Sequence, residues 1–120
     1  MVVESSAVGD ARGTVRFTEN VINTGNSRVS RRGEITVPVV TLDEAIAPEW
    51  PAIDLLIVDA EGFEVRVLRG ARAVLARTRA LYVEYSPEQL GEQGCTVAQF
   101  ADLLSAAFAI VYAVGGAGIE

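Results

Sequence analysis

Apolar and polar residues alternate along GTVRFTE, Gly13 to Glu19, as on a strand with one buried face. EITVPVVT, Glu34 to Thr41, alternates in the same way, with Pro38 marking an edge or a bulge. Between them NVINTGNSRVSRRG is rich in Asn, Ser and Gly and predicts a loop or a loose hairpin connection. A different pattern follows. Ile53 to Val58 holds five apolar residues in six with no alternation, the pattern of a strand covered by helices on both faces, and Asp59 ends it. Val65, Leu68, Ala71 and Leu75 then recur at helical spacing, while Arg66, Arg69 and Arg72 fall on the opposite side, predicting one amphipathic helix. Arg77 and Arg79 suit its negative pole. ALYVEYS, Ala80 to Ser86, predicts a third buried strand, and a loop with Pro87 and two glycines follows. Thr96 with Gln99 forms a capping-box signature, opening a helix with Val97, Phe100, Leu104 and Phe108 on one face. A short strand, Ala109 to Val114, closes the pattern ahead of GGAG.

Strand, helix, strand, helix, strand is the order of a parallel α/β sheet. Ligands of such sheets sit beyond the carboxyl ends of the strands, which is where Asp59, Glu61, Glu84 and Ser86 fall.

The chain has 120 residues, half of them apolar, which suits one domain with one core. Its net charge of −6 disfavours a nucleic-acid partner. All ten basic residues are arginine, so no mechanism here uses a lysine amine or an imidazole. The single cysteine, Cys95, excludes an internal disulfide and has no histidine to activate it. MVVESSAVGDARG lacks the basic start and long apolar run of a signal peptide, and no stretch reaches membrane-spanning length. The expectation is a cytoplasmic protein that contacts no membrane.

The run "VPVVTLDEAI … IDLLIVDAEGFEVRVLRGARAVLAR … LYVEYSPEQL" resembles the C-terminal half of the FkbM family of S-adenosylmethionine-dependent methyltransferases. The shared features are a TLD segment, a strand ending in D-x-E-G, a helix carrying L-x-G-A, and a following strand ending in Glu. "AVGDARGTVRFTENVINTGNSRVS" is similar to the segment after that family's third strand, so the likeness runs from about Ala7 to the end. It implies a Rossmann-like class I methyltransferase fold, with S-adenosylmethionine as cofactor. The implied reaction moves a methyl group to a hydroxyl oxygen of a sugar or related metabolite. By position, Asp59 and Glu61 match the D-x-E-G acids at the catalytic end, Glu84 the strand-end glutamate on the acceptor side, and Ala7 with Val8 the pair bordering the adenine.

The family's glycine-rich loop after the first strand, and its acid after the second, have no counterpart here. The resemblance therefore implies an incomplete fold, part of a longer methyltransferase that need not be active alone. An apolar strand with an unpaired edge would then invite self-association.

Other roles suit the same residues. Asp59 fits capping of the following helix as well as ligand contact, and Glu61 could oppose a helix dipole. Glu84, in a strand read as buried, calls for a polar partner such as an arginine. The arginines from Arg28 to Arg32 fit a solvated loop or a grip on an anionic acceptor. Two rival classes are a non-catalytic α/β fragment and a phosphoacceptor receiver-like module. The second expects a lysine, and the chain has none.

Overall fold

The computed structural model describes residues 1–18, 28–29, 35–115 and 118–119. In chain order its elements are β1 (Ala7–Val8), β2 (Gly13–Thr18), β3 (Arg28–Val29), β4 (Ile35–Val40), α1 (Leu42–Ala45), β5 (Ile53–Val58) and α2 (Glu64–Arg69). Then come α3 (Arg72–Ala76), β6 (Thr78–Val83), α4 (Pro87–Glu92), α5 (Val97–Ser105), β7 (Val114–Gly115) and β8 (Gly118–Ile119). This is a mixed α/β architecture with small sheets.

The alternating segments build a sheet of order β1-β4-β2-β3. β2 and β4 run antiparallel, with Thr14 opposite Pro38, and β1 joins β4 in parallel only at Val39 and Val40. Pro38 thus falls just before the stretch that β1 covers, where one side of β4 is an edge. The loop expected between the alternating strands includes the short strand β3; its remaining residues, with Arg31 and Arg32, lie outside the described residues.

β5 and β6 pair in parallel, Leu55 with Ala80 and Val58 with Val83, and α2 and α3 form the crossover between them. Val58, Val65, Leu68, Ala71, Val74, Leu90 and Phe100 make the core beneath this pair, all at most 5% exposed. Burying seven such side chains is the main favourable term of the fold.

Four expectations need correction. The apolar run of β5 is covered on one face only: Leu55, Ile57 and, beside them, Tyr82 are more than half exposed. The stripe of Val65, Leu68, Ala71 and Leu75 is buried as its spacing requires, but it belongs to two short helices separated at Gly70 and Ala71. The segment after Ser86 is a helix, α4, with the Ser86 hydroxyl accepting from Gln89 N–H and Pro87 in the first turn. At the end of the chain, Ile110 to Tyr112 are exposed outside any strand, and Val114 belongs to a hairpin of β7 with β8. The third parallel strand is therefore not formed among the described residues. The Thr96 and Gln99 capping box is present as read.

The break at Gly70 has a clear cause. A Cβ at Gly70 would lie 2.2 Å from the carbonyl oxygen of Gly9, so glycine alone lets the helical unit approach the end of β1. Asp43 then reaches across from α1: its carboxylate accepts from Ala73 N–H at 3.1 Å and Val74 N–H at 2.9 Å, capping α3. The same residue's backbone N–H donates to the Gly70 carbonyl at 3.2 Å. The TLD and L-x-G-A segments are thus one joint: Thr41 caps α1, Leu42 packs on the core and Asp43 caps α3. Replacing Asp43 by Ala should lower stability in urea unfolding by about 1–2 kcal/mol, the range for a lost cap. An unchanged midpoint would show that the cap carries no weight.

Candidate functional site

β5 and β6 end side by side, with Glu84 N–H donating to the Val58 carbonyl at 3.3 Å. Past these ends lies a small cleft of about 90 Å³ lined by Asp59, Glu61, Glu64, Glu84, Tyr85, Ser86 and Gln89. All four residues placed at strand ends by the sequence pattern line it.

Asp59 follows β5 directly and is exposed; it caps no helix, because α2 starts after Phe63 and has no side-chain cap. Glu61 is not in a helical turn either. It has φ +46°, in the left-handed region, and Gly62 follows at φ +93°. A left-handed non-glycine residue costs roughly 1–2 kcal/mol, so the surroundings hold this turn against its own preference. Two such residues in succession reverse the chain between β5 and α2 and bring the Glu61 carboxylate to the cleft.

Glu84 is exposed rather than buried, and among the described residues no arginine pairs with it. Tyr85, the next residue, packs its ring 5.5 Å from that of Phe100 and so ties the β6 end to α5. Ser86 caps α4, which presents Gln89 to the cleft.

Of the lining residues, sequence reasoning missed Tyr85, Gln89 and, most consequentially, the buried Glu64. It is 2% exposed, and both its carboxylate oxygens accept from Gly62 N–H at 3.1 Å. An acid flanked by the buried Val65 and the half-buried Phe63 was the available signal, obscured because acids in a first helical turn are ordinary.

Ala7 and Val8 do not line the cleft. They form β1, and Val8 packs against the core. The next residue, Gly9, lies against the Phe63 ring, two positions from Glu61, so the end of β1 reaches the neighbourhood of the cleft without entering it.

Chemically, the cleft offers carboxylates to accept a hydroxyl proton or oppose a positive charge, and a serine and a glutamine amide for hydrogen bonding. Among the described residues no three histidine, cysteine or acidic side chains gather to hold a metal ion, and no helix is long and apolar enough to cross a membrane. The donor set fits the cationic end of S-adenosylmethionine. The volume does not fit the whole molecule, since pockets that enclose small ligands measure roughly 300–1,000 Å³.

A family model described as "Methyltransferase FkbM domain" matches residues 4–109. The curated 2-O-methyltransferase NoeI of Sinorhizobium fredii (strain NBRC 101917 / NGR234) is 31% identical over 106 residues, covering 83% of this chain and 43% of the relative. The chain thus spans less than half of that relative's length. No solved structure matches significantly.

Glu61→Gly should raise stability by about 1 kcal/mol in urea unfolding, because the left-handed conformation suits glycine. A loss of that size would mean that the Glu61 side chain supports the fold.

Proposed function

The chain belongs to the FkbM methyltransferase family, and from that premise we propose that it serves transfer of a methyl group from S-adenosylmethionine to a hydroxyl oxygen of a sugar or related metabolite. The observation that carries this reading is the convergence of Asp59, Glu61 and Glu84 on one cleft at the ends of two parallel strands. Parallel pairing of β5 and β6 through a helical crossover supports a Rossmann-like frame. The matched relative's printed name, a 2-O-methyltransferase, supports an oxygen acceptor.

S-adenosylmethionine, when bound, supplies an electrophilic methyl group on a sulfonium. The work left to this chain is orientation and proton removal. Glu61, in its left-handed turn, would take the acceptor's hydroxyl proton, and Asp59 beside it would oppose the cofactor's positive charge. Glu84 and Ser86 hydrogen-bond the acceptor across the cleft. Ala7 and Val8, which precede the Gly9 that lies against Phe63, would border the adenine. The cleft's small volume and the chain's 43% share of its relative support reading these residues as the acid-bearing part of a longer enzyme's crevice.

The test is transfer of labelled methyl from S-adenosylmethionine to a panel of sugars, with S-adenosylhomocysteine affinity measured in parallel. In a full-length version Glu61→Gln should cut turnover by about 10²-fold or more, the low end for a lost general base, while affinity moves by about threefold at most. Equal loss of both would make Glu61 a cofactor ligand. Binding without transfer to any hydroxyl would overturn the acceptor class.

A second reading, a non-catalytic module that pairs with a second copy of itself, is favoured by the uncovered apolar face of Leu55, Ile57 and Tyr82 beside the open edge of β5. Sedimentation over a range of concentrations should then show a monomer–dimer equilibrium that Ile57→Arg abolishes. A strict monomer would remove that reading.

A further inference from the structure

We propose that Glu64 is a positioning residue for Glu61. The inference rests on the reading of Glu61 as the proton acceptor. A carboxylate this deeply buried is costly unless its oxygens are hydrogen-bonded. Among the described residues no arginine pairs with Glu64: Arg66, two residues on, lies over the Phe63 ring instead, 5.1 Å from its centroid. Its partners are the Gly62 amide, held by both oxygens, and the side-chain amide of Gln93, whose Nε2 donates at 3.4 Å.

Gln93 is itself fully engaged. Its Oε1 accepts from Val65 N–H at 3.1 Å, and its Nε2 also donates to the Gln89 carbonyl at 3.1 Å. One end of the network is therefore the close of α4 and the other is the left-handed turn. Glu64 grips that turn at Gly62, the residue next to Glu61. Phe63 N–H closes the same turn on the Ala60 carbonyl at 3.2 Å, and the grip of Glu64 on Gly62 is the side-chain restraint added to it, at the residue next to Glu61. The buried acid converts packing of α2 on the core into a fixed direction for the acid beside it, as preorganised sites require.

The test separates reach from charge and uses amide NMR on the full chain. Glu64→Gln keeps an oxygen at the same distance from Gly62, whereas Glu64→Asp keeps the charge and withdraws it by one methylene. In the Asp variant Gly62 N–H should exchange about tenfold faster, the upper range for one lost hydrogen bond, and the Glu61 HN–Hα coupling should move. The Val74 and Phe100 amides should stay protected. In the Gln variant Gly62 exchange should remain within about threefold of the parent. Equal behaviour of the two variants, or unchanged Gly62 exchange in the Asp variant, overturns the role. Should the Asp variant not fold, Gln93→Ala supplies the same readout: exchange at Gly62 rises with the core intact, and no rise overturns the proposal. Methyl transfer plays no part in these measurements. A turn held as described in a protein that transfers no methyl group would count against the reading of the site, and a turn indifferent to Glu64 against the positioning role alone.

Discussion

The near-contact of Gly70 with the Gly9 carbonyl joins the two halves of the structure. On one side is the sheet built from the alternating strands, and on the other the parallel pair β5 and β6 with their helices. No residue with a Cβ could stand at Gly70, because the atom it would meet is backbone and cannot rotate away. The helix stops there, with the Gly70 carbonyl accepting from Asp43 N–H, and the Asp43 carboxylate caps α3 as it begins again. One short joint therefore places β1 beside Phe63, closes the core over Ala71 and Val74, and sets where α2 begins.

The start of α2 in turn decides the direction of the acids. Asp59 leaves β5 at its end, and the left-handed pair Glu61 and Gly62 turns the chain back toward the core. Local preference opposes that turn, and the buried Glu64 carboxylate opposes desolvation. Each cost is tolerated because the other is present: the Gly62 amide satisfies Glu64, and Glu64 fixes Gly62. Strain and buried charge placed together at a strand end are characteristic of sites that serve chemistry, not stability.

Much of this was legible in the sequence. Alternation located β2 and β4, the apolar run located β5, and D-x-E-G put two acids at its end. The failures share a physical origin. An apolar run reports a strand's composition, and whether Leu55 and Ile57 are covered depends on neighbours the run does not name. Helical spacing continues through Gly70 without a fault, since the obstruction there is the carbonyl of a residue sixty-one positions earlier. Ala109 to Ala113 has strand-forming residues but, among the described residues, no partner to pair with, and Val114 pairs instead with Ile119. Ser86 and Pro87 did carry a helix-start signal, which the two glycines nearby outweighed. Glu64 could not be told from any acid near a helix start, because its side-chain partner, Gln93, lies twenty-nine positions on, at the close of α4.

The central claim is that the ends of β5 and β6 face the reacting ligands. Amide shift mapping of the chain on titration with S-adenosylhomocysteine tests it directly. The account expects saturable shifts centred on Asp59 to Gly62 and Glu84 to Ser86, extending to Gly9 through Phe63. Saturable shifts that leave those residues unmoved, and fall instead on the exposed face of Leu55 and Tyr82, would contradict it.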